Sequence, residues 1–319
     1  MDYYDNKSIT IEVTNKCSAA CIMCPREKMI QDLESMTFEV WKKLIDDCHS
    51  LGIELLDLCG YGDVFLDKGL FEKIEYAKKV NPAFKIYIST TGIAMNKKKW
   101  QQILDTVDIL KFSIYGMSKE VYEEVMHNVR YESAYRNILG FLELNKEAGD
   151  KVYTIGNYIV MEENKDEFKE WVEFWEPKLS EVYAWKPHNY VDGRQYRDIS
   201  GQEQKTCGRP LEGPLNIAVN GEAHVCCFDY NKLLTVGSIV DKSISELMNG
   251  DRMKEIQEKH KNNDFQGLIC EMCDQTVKDD SVLLYHTNPD RVVGQNNASM
   301  WVFNEGEEKD TNNRLKVLN

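Results

Sequence analysis

The chain has 319 residues, 42% of them hydrophobic and 29% charged, with a formal net charge of −14. This fits one large globular domain plus a small one; no apolar run approaches the ~18 residues a membrane helix needs, and the acidity argues against a nucleic-acid substrate. The first residues, Met1 to Asp5, carry no basic region and no apolar stretch, so the reading is cytoplasmic rather than secreted.

Strand-like and helix-like runs alternate along the chain. Residues 9–14 form the first expected strand. Thr37 caps a helix in which Phe38, Trp41, Leu44, Ile45 and Cys48 recur at helical spacing, which makes Cys48 a core thiol. Residues 54–59 are the second strand, with Cys59 a small core residue, and residues 70–79 a helix with Phe71, Ile74 and Ala77 inward. Residues 85–89 are the third strand, followed by a short helix marked by Trp100, Ile103 and Leu104. Strands over 109–115 and 152–160 flank a helix over 134–146. Phe168, Trp171, Val172 and Trp175 then stripe a core-facing helix, and residues 181–185 are the sixth strand. Six βα alternations imply an α/β fold with a parallel sheet and right-handed crossovers. Six units make a partial (β/α)6 barrel of the TIM type, with chemistry expected at the C-terminal ends of the strands. Residues 189–206 are polar and break the alternation. The expected division is a barrel over 1–190, a small α+β unit over 191–285 and a polar tail over 286–319.

The ten cysteines group as C-x3-C-x2-C and, later, C-x2-C, which reads as thiolate ligands in a reducing compartment rather than disulfides. Cys17, Cys21 and Cys24 directly follow the first strand. A loop so spaced can aim three thiolates at a four-iron cube and leave one iron without a protein ligand, whereas a structural site would use four. The alternatives are a zinc site, for which this spacing is unusual, or scattered core thiols. The spacing after a first strand resembles the signature of the radical S-adenosylmethionine (SAM) enzymes. That resemblance implies that SAM chelates the open iron and is reductively cleaved to a 5′-deoxyadenosyl radical, which takes a hydrogen atom from substrate. It also implies a SAM pocket. Gly60-Tyr61-Gly62-Asp63 stands where the family has Gly-Gly-Glu, with Tyr61 replacing a glycine and Asp63 the glutamate. Ser89-Thr90-Thr91-Gly92 resembles the family's Thr-Asn-Gly, with Thr91 in the asparagine place. Ser113 and Asn157 are candidates to face SAM's ribose or carboxylate, the alternative being hydrogen bonds confined to the barrel.

Farther on, Cys207, Cys226, Cys270 and Cys273 form a second group. Asn220-Gly221 is a strong hairpin signal, with strands expected over 215–219 and 223–227. The hairpin carries Cys226 toward Cys207, and a helix over 243–259 leads back to Cys270 and Cys273. Four converging thiolates make a closed site for one auxiliary four-iron cluster, with a four-cysteine zinc site as the alternative. The arrangement resembles the shortened "twitch" form of the SPASM domain, as in radical SAM aminocyclitol dehydrogenases of the butirosin type. Cys227 is either a spare core thiol or a hydrogen-atom donor of the kind radical epimerases use. His188, Asn189 and Arg194 follow the sixth strand and are the candidate substrate contacts, their alternative being a polar surface linker.

The implied cofactors are two 4Fe-4S clusters and SAM, reduced by a flavodoxin- or ferredoxin-type partner. The expected activity is radical SAM oxidation of a hydroxyl-bearing carbon in a sugar or aminocyclitol, the auxiliary cluster accepting the electron. The alternative is a peptide-modifying epimerase or crosslinking maturase with Cys227 as hydrogen donor. Many peptide maturases carry an N-terminal leader-binding domain, and here the first strand begins by Ile9. An electron carrier would have no use for an open iron beside a SAM pocket.

Overall fold

The structure is a computed structural model that describes residues 7–277 and 282–288. Strand β1 (Ser8–Ile11) runs into the first cysteine loop, where Ala20–Cys21 forms the two-residue β2. Helix α1 (Phe38–Ser50) starts where Thr37 accepts the Val40 N–H, and it buries Trp41, Leu44, Ile45 and Cys48 as the period requires. There follow β3 (Leu55–Leu58), α2 (Leu70–Val80), β4 (Lys85–Thr90), α3 (Trp100–Thr106), β5 (Ile109–Ser113), α4 (Lys119–Val125) and β6 (Met126–His127). The barrel ends with α5 (Tyr131–Glu147), β7 (Tyr153–Ile159), α6 (Phe168–Trp175) and β8 (Glu181–Trp185). Strands β1, β3, β4, β5, β7 and β8 neighbour one another in that order, all parallel. This is the partial barrel that six βα units predict. Trp41, Trp171 and Trp175 are wholly buried between helices and sheet, each burial being worth roughly 1.5–3 kcal/mol or more by transferred area. No helix among the described residues is long and apolar enough to cross a membrane.

The second unit contains α7 (Arg209–Glu212), β9 (Leu215–Ile217), β10 (Glu222–His224), β11 (Thr235–Ser238), α8 (Ile244–Met248), α9 (Asp251–Lys261) and β12 (Leu283–His286). The hairpin forms at Asn220-Gly221, Gly221 taking the left-handed φ of +86° that the turn needs. The sheet does not stop at the boundary expected after residue 190. Strand β9 pairs parallel with β1, placing Leu215 beside Ile9 and Ile217 beside Ile11, and β10 and β11 continue antiparallel. At the opposite edge β12 pairs antiparallel with β8. A six-unit barrel leaves two open edges, and the second unit covers both, as edge strands require. The tail expected from 286 therefore begins inside β12; residues 289–319 lie outside the described residues.

Candidate active site

Backbone pairing holds the first cysteine loop in shape. Strand β2 pairs with β6, the Ile22 N–H donates to the Val125 carbonyl at 3.0 Å, and the Cys24 N–H to the Cys21 carbonyl at 2.9 Å. Ala19 and Met23 are buried within the loop, and with Cys17, Cys21 and Cys24 they line a cavity of about 420 Å³ at the C-terminal ends of the strands. Burial pushes the Cys17 thiol up to about 11 and also raises Cys21 and Cys24, with neighbouring thiols adding to the rise at Cys17 and Cys21. Thiols so placed ionise against a strong local positive charge, such as a metal cluster. Three soft donors facing one cavity fit a four-iron cluster with one iron left open.

The loop after β3 presses against β1. A Cβ on Gly62 would stand 2.1 Å from the Thr14 carbonyl oxygen, and one on Gly60 would stand 2.6 Å from the Glu12 side chain. No larger residue fits either place. Buried Glu12 accepts the Tyr61 N–H at 2.8 Å. The Tyr61 hydroxyl reaches across the cavity and donates to the Cys227 carbonyl at 2.7 Å, so the residue standing in a glycine's place fastens the loop to the second unit. Asp63 lines the cavity but is only 2% exposed. Its carboxylate accepts the hydroxyls of Thr90 and Thr91, each at 2.9 Å, and the N–H groups of Thr91 and Phe65, each at 3.2 Å. It ties the end of β3 to the end of β4. Asn157 donates to the Tyr115 hydroxyl at 3.1 Å, and its carbonyl oxygen is buried at the cavity wall without a hydrogen-bond partner among the described residues. Ser113 lines the same wall and bonds Tyr115.

Cys207, Cys226, Cys270 and Cys273 line a second, smaller cavity together. Their burial raises Cys226, Cys270 and Cys273, Cys273 to about 12, with nearby thiols contributing. Four convergent thiols fit a fully ligated four-iron cluster. Cys227 turns the other way, is exposed, and lines the first cavity beside Phe228.

The three residues after β8 behave differently from one another. His188 lines both cavities and stacks on Phe228, with ring centroids 3.8 Å apart. Its Nδ1 accepts the Tyr190 N–H at 2.6 Å, which leaves Nε2 as the protonated nitrogen of a neutral ring. Burial first, then Arg209, Arg197 and Arg194, hold the ring well below the usual histidine range. Nε2 faces the Cys273 sulfur at 3.5 Å and Asp274 at 3.2 Å. Although His188, Cys273 and Asp274 cluster like metal ligands, Asp274 is already engaged by Arg197 at 3.3 Å and by the Asn189 N–H at 3.0 Å. The trio reads as the frame around one thiol. Asn189 is spent on Asp274, the Met272 carbonyl and the Val191 N–H. Arg194 grips Asp192 and the Ile22 carbonyl. The sequence set both at the barrel mouth as substrate contacts, but neither lines the cavity; their polar groups join the linker to its neighbours instead.

Glu12, Asp57, Lys111, Arg209, Asn216, His224 and Lys232 also line the first cavity, and none belongs to a motif legible in the sequence. Asp57 is pushed up to about 7 by burial, opposed by Lys111 and a Thr10 hydrogen bond. Charged residues inside otherwise apolar strands were the available signal for Glu12, Asp57 and Lys111. Arg209 opens the four-residue helix α7 and Lys232 sits in a turn; neither context gave a signal.

Comparison with known proteins agrees with this architecture. The model of the radical SAM superfamily matches residues 11–174, and that of the SPASM iron-sulfur cluster-binding domain matches residues 207–274. Among solved structures, BtrN in complex with AdoMet and 2-DOIA is similar with a TM-score of 0.60 at 16% identity, covering 84% of this chain and 92% of BtrN. SuiB of Streptococcus suis bound to precursor peptide SuiA gives 0.63 at 12% identity, covering 78% of this chain and 65% of SuiB. The AdoMet-bound anSMEcpe gives 0.56 at 16%, covering 86% and 92%. At these identities the likeness shows the fold. A curated relative, a probable GTP 3′,8-cyclase of Methanopyrus kandleri, is 23% identical over 119 residues, which span 37% of this chain and 38% of that protein. The family implies a four-iron cluster and SAM, and the SPASM domain implies further iron–sulfur clusters. The chain belongs to the radical SAM superfamily and carries a C-terminal SPASM domain.

Proposed function

We propose that Cys17, Cys21 and Cys24 hold the SAM-binding cluster, that Cys207, Cys226, Cys270 and Cys273 hold one auxiliary cluster, and that the enzyme oxidises a hydroxyl-bearing carbon of a small polyol such as a sugar or aminocyclitol. The observation that carries this is the single cavity of about 420 Å³. Its walls come from the first cysteine loop, from the strand ends and, through Cys227, Phe228 and Arg209, from the unit that holds the second thiol set. A cavity in this range suits a cofactor with a small ligand. When bound, the groups supply a 5′-deoxyadenosyl radical at one end and an electron acceptor at the other. Around them Asn157 offers an unpaired carbonyl oxygen to SAM, Asp63 sets Thr90 and Thr91 in place, and Tyr61 fixes the distance between loop and second unit. His188 and Phe228 stand between the two cavities and keep water from the four thiols. The enzyme acts in the cytoplasm with a flavodoxin- or ferredoxin-type reductant.

A second reading is favoured by the exposed Cys227 thiol on the same cavity: epimerisation of a peptide, with this thiol returning a hydrogen atom. The two readings separate by mass. Oxidation gives a product two mass units lighter and survives Cys227→Ala. Epimerisation leaves the mass unchanged in ordinary water, installs one deuterium from heavy water, and fails without Cys227.

A further inference from the structure

Lys232 occupies the cavity wall supplied by the second unit, and its ammonium is held among carboxylates without a hydrogen bond to any described residue. The backbone at Lys232 is left-handed, with φ +59°, a conformation that L side chains rarely adopt. The turn around it is built to hold it there. The Lys232 N–H donates to the Asp229 carbonyl at 3.1 Å, and the Lys232 carbonyl accepts the Thr235 hydroxyl at 2.6 Å and N–H at 3.2 Å. The buried Asp229 carboxylate accepts the Leu234 N–H at 2.6 Å. The side chain this turn presents is 6% exposed and lines the cavity. Its ammonium has no hydrogen-bond partner among the described residues. The nearest carboxylate, that of the half-exposed Glu222, is 4.0 Å away and bonded to Asn220. Glu12 and Asp229 also attract it, but Glu12 accepts the N–H groups of Tyr61 and Val219 and Asp229 those of its own turn. One nitrogen of the buried Arg209, on the same cavity, is also unpaired. A buried ammonium whose N–H groups make no hydrogen bond is costly, and a turn shaped to keep one fits a ligand that accepts from it.

We propose that Lys232 anchors an anionic group, a carboxylate or a phosphate, on the substrate, so that a chain of net charge −14 selects a negatively charged, hydroxyl-rich molecule. This rests on the reading of the cavity as the substrate site. A cationic, aminated ligand would set like charge against Lys232 and Arg209, so within the class proposed above the site selects acidic sugars over aminocyclitols.

The test is equilibrium binding to the reconstituted, SAM-loaded enzyme, with glucuronate, glucose 6-phosphate, glucose and glucosamine as probes. Glucuronate or glucose 6-phosphate binds at least about tenfold more tightly than glucose, as expected for a charge-assisted contact, and glucosamine binds more weakly than glucose. The two anionic arms distinguish carboxylate from phosphate. Lys232→Met levels the series, and Lys232→Arg keeps its order. Equal binding of all four probes, no binding by any, a preference for glucosamine, or an unchanged preference in Lys232→Met overturns the proposal. The wild-type order alone can overturn it, so a variant that fails to fold leaves it falsifiable. Because binding is read without turnover, failure here is distinct from failure of the oxidation reading, which shows as a bound ligand that yields no product two mass units lighter.

Discussion

Replacing Asp63 with alanine tests whether its carboxylate ties strand ends together or meets SAM directly. The substitution removes the acceptor for four buried donors: the hydroxyls of Thr90 and Thr91 and the N–H groups of Thr91 and Phe65. The hydroxyls can rotate toward other acceptors, while the two N–H groups cannot. At about 1–3 kcal/mol for each buried donor left unpaired, the net loss is about 3 kcal/mol. For a chain of this size that lowers the melting temperature by roughly 6 °C. Thermal and urea unfolding of the reduced protein, wild type against Asp63→Ala, reads this directly. Asp63→Asn keeps one acceptor oxygen and loses about 1 kcal/mol. SAM affinity falls together with stability, because Thr90 and Thr91 lose their positions. A loss of SAM binding with stability within about 0.5 kcal/mol of wild type would refute the reasoning and make Asp63 a direct contact.

Alanine at Cys17, Cys21 and Cys24 together abolishes formation of 5′-deoxyadenosine and leaves about four irons bound per chain, read by chromatography and iron assay; loss of all iron contradicts separate sites. Gly62→Ala sets a methyl 2.1 Å from the Thr14 carbonyl oxygen and lowers stability by about 1–3 kcal/mol through forced backbone shifts, seen in the same unfolding assay. Asp57 gives a pH signature. Burial raises its pKa from 3.8 to about 7 in the folded chain, so the native state holds the proton more tightly than the unfolded one. The resulting stability is full below about pH 4, is lost as pH rises through about 7, and amounts to at most roughly 4 kcal/mol. The unfolding free energy of the wild type relative to Asp57→Asn falls across this window.

The barrel was legible because each of its features leaves a local mark. Trp41, Leu44, Ile45 and Cys48 repeat at helical spacing, Asn220-Gly221 marks its hairpin, and cysteine spacing survives without any knowledge of the fold. Other features leave no such mark. The pairing of Ile9 with Leu215 joins residues about two hundred positions apart through a three-residue strand. The ribbon of β2 and β6 is two residues wide, too short for any period. Asn189 and Arg194 looked like ligand contacts because polar residues in a linker look alike whether they face a cavity or each other. Lys232 carried no signal because its meaning lies in a positive φ and in the absence of a nearby hydrogen-bonding partner. Neither is written in residue type.

In the proposed enzyme, three thiols and four thiols hold two separate clusters on either side of one substrate cavity. The iron and acid-labile sulfide content of the anaerobically reconstituted protein tests this arrangement most directly. About eight of each per chain are expected, falling to about four when either cysteine group is replaced. About four in the wild type would contradict it.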